Sequence, residues 1–223
     1  MASSLLRTSF VVGPLGCNCT LLACPQTRET LVVDPGDEAP RILEELKARD
    51  WKPVQVVHTH AHFDHVLATG AVAGAYQAET CLHRDDRFLY DHVADQLSLF
   101  GMAPPPGPPA KLTRELEGGE VLAFGTREAR VIHTPGHTPG SICLFLETAG
   151  ESPLLFSGDT LFAGSIGRTD LWGGSMERIL ESIRGPLLSL PAGTEVIPGH
   201  GRTTTIGQER EDNPFVGKRA RLT

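Results

Sequence analysis

Three histidines and an aspartate fall within six residues, His60-Ala61-His62-Phe63-Asp64-His65, and each can bind a divalent metal. Imidazole nitrogens and carboxylate oxygens are donors that zinc, iron and manganese accept. The segment follows an apolar run, Val54 to Val57, that reads as a buried strand. If the chain stays extended, alternate side chains share a face, so His60, His62 and Asp64 can converge. His65 must then project from a turn, or from the start of a helix formed by Val66 to Tyr76. Three more donors stand where an apolar strand gives way to glycine-rich loop: His137 after Val131-Ile132, Asp159 after Leu154-Leu155-Phe156, and His200 after Val196-Ile197. Taken singly, each also fits a turn or a capping role. Strand ends along one sheet edge are nevertheless where ligands from distant sequence can meet.

The elements that must position these residues follow from periodicity. Phe10 to Val12, Thr20 to Ala23 and Thr30 to Val33 read as an opening antiparallel meander. Ala39, Ile42, Leu43 and Leu46 repeat at helical spacing, which predicts an amphipathic helix over Pro40 to Asp50. Glu79 to His83 reads as a strand and Arg84 to Phe100 as a helix. Met102 to Pro109, rich in proline, reads as a rigid surface loop. Strands follow around Glu120 to Phe124, Ala129 to Ile132, Ile142 to Leu146 and Leu154 to Phe156. A helix through Met176, Ile179, Leu180 and Ile183 precedes a last strand, Glu195 to Ile197. A meander and then strands mixed with helices, twice over, favours stacked mixed sheets with helices outside.

The 223 residues suit one large domain. A net charge of −7 argues against a nucleic-acid backbone as main partner, while leaving room for an anionic small molecule held by a local cation. The five cysteines show no framework spacing, and Cys17-Asn18-Cys19 lacks the second thiol pair of a metal clip. Reduced thiols, no leader-like apolar stretch near Met1 and no run that could span a bilayer predict a soluble, cytoplasmic protein without a membrane partner.

As an ordered set, His60-Ala61-His62-Phe63-Asp64-His65, His137, Asp159 and His200 resemble the metallo-β-lactamase superfamily from about Phe10 to about Arg202. Asp34 matches that family's early aspartate. The resemblance implies an αββα sandwich (α/β, or α+β) of two mixed sheets flanked by helices, in one domain covering 1–223 with no separate C-terminal glutathione-binding domain. It further implies that His60, His62 and His137 hold one metal, that Asp64, His65 and His200 hold a second, and that Asp159 bridges. The cofactor is then two divalent ions, zinc first, with iron or manganese also compatible. Paired cations lower the pKa of a water between them and polarise a carbonyl, which makes a hydrolytic site with Asp64 and Asp159 as its catalytic carboxylates.

Within that superfamily, Asp159 and the missing leader count against an exported β-lactamase. Thr134-Pro135-Gly136-His137-Thr138-Pro139-Gly140-Ser141, Gly158-Asp159-Thr160-Leu161-Phe162, Gly167-Arg168-Thr169-Asp170 and Asn213-Pro214-Phe215 resemble the short bacterial glyoxalase II (hydroxyacylglutathione hydrolase) group. That implies hydrolysis of a small thioester, S-(2-hydroxyacyl)glutathione or a relative. The chain departs from the longer enzymes in having Arg168-Thr169-Asp170 where they carry Lys-Phe-Tyr. Arg168 either binds a substrate carboxylate or pairs with Asp170 to pin its loop. The alternative is a persulfide dioxygenase, which shares the fold and the Gly-Arg-Thr-Asp stretch but keeps one iron on positions matching His60, His137 and Asp159. Phe63 and Pro198-Gly199 depart from that group, which usually has alanine and Pro-Ala there.

Overall fold

The computed structural model describes residues 4–104, 109–147, 150–218 and 220, and the chain divides into two compact units. The first comprises the residues up to Leu116 with Ala123–Arg127. The second comprises Glu117–Leu122 and the residues from Glu128 onward. Residues 105–108 of the expected proline-rich loop lie outside the described residues.

The first unit opens with the expected meander, β1 (Leu6–Val12), β2 (Cys17–Ala23) and β3 (Glu29–Val33). Helix α1 (Ala39–Ala48) then crosses to β4 (Lys52–Val57), parallel to β3. Helices α2 (Phe63–Val66) and α3 (Thr69–Tyr76) cross to β5 (Glu79–His83), and α4 (Arg87–Asp91) and α5 (Val93–Leu99) precede β6 (Arg114–Leu116). The sheet order is β1-β2-β3-β4-β5-β6, with β4, β5 and β6 mutually parallel. Parallel neighbours need long crossovers, which is why the helices appear once the meander ends. Leu21, Val32 and Val56 pack with Ile42 and Leu46 of α1 and Val72 of α3 in one core. Phe63, Leu82, Leu89, Val93 and Leu97 form another beneath the histidine segment.

The second unit carries β7 (Val121–Phe124) and β8 (Arg127–His133), except for Ala123, Phe124 and Arg127, which fall in the first unit, and all of β9 (Ile142–Leu146) and β10 (Leu154–Gly158). A small hairpin, β11 (Leu161–Phe162) with β12 (Ser165–Ile166), leads into α6 (Met176–Ser182). Then come β13 (Glu195–Pro198), β14 (Thr204–Thr205) and α7 (Ile206–Asp212). The sheet order β14-β13-β10-β9-β8-β7 is again mixed, with β10 and β13 parallel. Ile179, Ile183 and Ile206 pack on Phe145, Leu155 and Val196. Ser175 and Thr205 cap α6 and α7 by accepting amide hydrogens from Arg178 and Gln208, which satisfies otherwise orphaned helix donors.

Two helices differ from the sequence reading. Residues 84–100 form a 3₁₀ turn, α4 and α5 rather than one helix. His92 Nδ1 takes the Phe88 carbonyl at 2.7 Å and Gln96 Nε2 takes that of Leu89 at 2.8 Å, so side chains occupy carbonyls that would carry the ladder on. Helix α2 is a single turn because the Ala68 amide donates to Pro35 O at 2.9 Å instead of continuing it. The core account predicts that Leu21→Ala costs about 2–5 kcal/mol in chemical denaturation. A loss below about 1 kcal/mol would place Leu21 outside a close-packed core.

Candidate metal centre

In the first unit the chain leaves β4 after Val57, bends at Thr59 and His60, and enters α2 from an extended His62. The expected extended run of His60, His62 and Asp64 is thus broken: His60 sits in the bend, His62 just before the helix, and Asp64 lies with His65 in the helical turn. The turn starts there because Gln96 anchors it. Gln96 Oε1 accepts the Phe63 amide at 3.1 Å, and its Nε2 donates to Ala61 O at 3.0 Å, gripping the backbone on both sides of His62. Asp86 Oδ2 accepts the Ala61 amide at 2.9 Å. A Cβ on Gly36 would overlap the Asp64 carbonyl oxygen, so only glycine lets the Asp34-Pro35-Gly36 turn approach this closely.

His60 Nε2 and His62 Nδ1 stand 3.1 Å apart with the rings edge to face. The tautomer of His60 follows from its neighbours. Thr59 Oγ1 gives its one proton to Asp34 Oδ2 at 2.7 Å, so His60 Nδ1, 3.1 Å from that hydroxyl, must donate. Nε2 is left as the lone-pair donor. His65 Nδ1 lies 3.1 Å from Asp34 Oδ2, while its Nε2 lies 3.7 Å from Asp64 Oδ2. A carboxylate on one imidazole nitrogen fixes the ring and strengthens the other nitrogen as a ligand. Asp34 also accepts the Thr59 amide at 2.7 Å and sits at φ 51°, a left-handed position that aspartate tolerates.

His58 is fully buried and donates through Nε2 to Thr69 Oγ1 at 3.1 Å, since that hydroxyl donates to Val66 O. Burial holds its pKa down to about 4, so it is a neutral packed ring. Burial pushes the Cys17 thiol up to about 11; it packs 3.6 Å from His65 Nδ1 as a neutral group, not as half of a metal clip.

In the second unit His137 Nδ1 donates to Arg168 O at 2.8 Å, which turns Nε2 to within 3.6 Å of Asp159 Oδ2. His200 Nε2 lies 3.6 Å from the same oxygen. One carboxylate thus faces two imidazole nitrogens. A Cβ on Gly167 would overlap the Asp159 carbonyl oxygen, the counterpart of Gly36. Arg168 forms a two-point pair with Asp170, Nε to Oδ1 at 2.7 Å and a terminal nitrogen to Oδ2 at 2.9 Å. That guanidinium holds the Asp170 carboxyl down at about 2.

The first unit brings together His60, His62, Asp64 and His65, and the second His137, Asp159 and His200. Protons committed to Thr59, Asp34 and the Arg168 carbonyl leave Nε2 of His60, His65 and His137 as lone pairs. That is the state a divalent metal requires, so the donors fit one. The sequence reading missed Thr59, Asp86, Gln96, Gly36 and Gly167, which hold the candidate ligands or the backbone beside them. Asp34→Asn keeps a residue suited to positive φ but loses an acceptor, so metal affinity should fall about 10- to 100-fold with the circular dichroism spectrum kept. Competition against a chromophoric chelator measures this, and an unchanged affinity would remove Asp34 from the centre.

The family model for the metallo-β-lactamase superfamily matches residues 12–200. A hydroxyacylglutathione hydrolase, GloC, of Haemophilus influenzae is 35% identical, over 91% of this chain and 94% of that protein. A crystal structure of TTHA1623 in a di-iron-bound form is 37% identical, covers 93% of this chain and 99% of its own, and has a TM-score of 0.82. The BLEG-1 B3 metallo-β-lactamase structure is 36% identical over 95% and 99%, with a TM-score of 0.85. The fold is therefore the expected sandwich of two mixed sheets flanked by helices, with a metal-binding site typical of that superfamily's catalytic centre. This chain belongs to the metallo-β-lactamase superfamily and is a metal-dependent hydrolase of it.

Proposed function

We propose that the protein hydrolyses a small thioester of the glyoxalase II type, S-(2-hydroxyacyl)glutathione or a relative. The observation that carries this reading is Asp159 Oδ2 standing 3.6 Å from both His137 and His200, as a carboxylate shared by two metals would. In this reading His60, His62 and His137 hold one ion, Asp64, His65 and His200 hold the other, and Asp159 serves both. Zinc is the first candidate, then iron or manganese. GloC, similar over nearly the whole chain, supports the choice of substrate class. The same reading takes 1–223 as a single domain, since the family match spans parts of both units. It also takes the protein as cytoplasmic, where the five free cysteines stay thiols. No described helix is long and apolar enough to cross a membrane.

Bound metals would supply a water of lowered pKa and polarise the thioester carbonyl. The chain's own residues would do the rest. Asp64 orients the attacking water, and Asp34 and the Arg168 carbonyl keep the imidazoles in their ligand tautomers. Arg168 would meet a carboxylate of the substrate. Its present partner, Asp170, is an exposed one, with Arg168 and Asp170 side chains 53% and 69% accessible. Such surface pairs contribute about 0–1 kcal/mol, so a substrate carboxylate can take Asp170's place.

The purified protein should cleave S-lactoylglutathione, followed by loss of thioester absorbance, with no oxygen uptake on glutathione persulfide and no turnover of a chromogenic β-lactam. Oxygen consumption with persulfide, and no thioester cleavage, would replace this reading with the dioxygenase one. Asp159→Ala should reduce kcat and metal content more than Asp64→Ala, because it removes a ligand from both ions; equal losses would contradict the shared carboxylate. Arg168→Ala should raise KM with kcat nearly kept, and the effect should shrink for a thioester lacking carboxylates. An unchanged KM in a stable variant would leave Arg168 as a loop pin only.

A further inference from the structure

Asn213-Pro214-Phe215 stands out in the sequence yet contributes no donor to the centre. Its place in the second unit gives it another task. Asn213 and Glu209, on and just beyond α7, are 1% and 2% exposed. Glu209 accepts from three donors: Thr204 Oγ1 at 2.6 Å on Oε1, and the Gly164 amide at 2.9 Å and Asn213 Nδ2 at 2.7 Å on Oε2. Asn213 Nδ2 also donates to Ser165 O at 3.1 Å, and its Oδ1 accepts the Phe215 amide at 3.0 Å. A carboxylate buried this deeply is retained only with such a full set of donors.

Gly164 lies in the two-residue turn of the β11–β12 hairpin and Ser165 opens β12, and with Thr160 that hairpin is the whole covalent path from Asp159 to Gly167. Its near end begins two residues after the Asp159 carboxylate. Its far end delivers Gly167, packed against the Asp159 carbonyl, and the Arg168 carbonyl that holds His137. The Gly167 amide closes the base by donating to Thr160 O at 3.3 Å. A hairpin with strands of two residues has too few ladder bonds to fix its own position.

We propose that Glu209 and Asn213 are positioning residues for the metal centre: by fastening the hairpin's turn to α7 they set where Asp159 and the Arg168 carbonyl stand. This rests on the reading of Asp159 and His137 as metal ligands. Neither Glu209 nor Asn213 touches the reacting atoms. Thr204 makes the one Glu209 contact that does not lead to the hairpin, which gives an internal control.

The test compares Glu209→Gln, Asn213→Ala, Thr204→Val and Asp159→Ala. Zinc affinity is read by chelator competition, the visible spectrum of the cobalt-substituted protein is recorded, and thermal unfolding is measured without metal. Glu209→Gln and Asn213→Ala should each weaken zinc about tenfold or more and shift the cobalt bands. Thr204→Val should lower the melting temperature and leave both metal readouts unchanged. If Glu209→Gln does not fold, Asn213→Ala decides alone. Loss of zinc in Asp159→Ala with none in Glu209→Gln and Asn213→Ala would overturn the positioning role and leave the ligand reading standing. No loss in any of the three would overturn both.

Discussion

An imidazole is set to bind a metal when its other nitrogen already holds the proton and is itself held. Asp34 meets that condition for two candidate ligands of the first unit at once. Its Oδ2 binds His65 Nδ1 directly, and binds Thr59 Oγ1, which in turn receives His60 Nδ1–H. Burying that carboxylate alone would cost several kcal/mol; with the Thr59 amide on its other oxygen it is fully engaged. The second unit solves the same problem without a charge, through the Arg168 carbonyl on His137. Each solution needs backbone to come close to a ligand-bearing segment, and each has a glycine at that point, Gly36 against Asp64 and Gly167 against Asp159.

Much of this was legible in the sequence. Val54 to Val57, Leu154 to Phe156 and Val196-Ile197 are strands, and each delivers its donor to a strand end, because apolar runs bounded by glycine and proline mark both the strand and its exit. The meander and α1 also lie close to where their periodicity placed them. The break between α4 and α5 was not legible, since it depends on His92 and Gln96 side chains taking main-chain carbonyls. The hairpin of β11 and β12 escaped because two-residue strands carry no period.

The residues around the ligands were harder to see for a different reason. Asp34 is 25 positions from Thr59, Gln96 is 33 from Phe63, and Glu209 is 45 from Gly164. Nothing local distinguishes such a side chain from an ordinary turn aspartate or helix glutamate. Asp34 stood out only through resemblance to a family, and its chemical task emerges from the distances. Arg168 shows the opposite case. Its type and its glycine-flanked loop mark it in the sequence, yet its present contact is Asp170 two residues away, a partner that any surface loop could supply.

The central proposal is that His60, His62, Asp64, His65, His137, Asp159 and His200 serve a pair of ions, with Asp159 common to both. Metal content after saturation with zinc or iron, and removal of loosely held metal, tests it most directly. Two ions per chain, with antiferromagnetic coupling between them in the iron form, is the predicted result. One ion at saturation, with Asp64 and His200 unliganded in the crystal structure of the saturated protein, would contradict it.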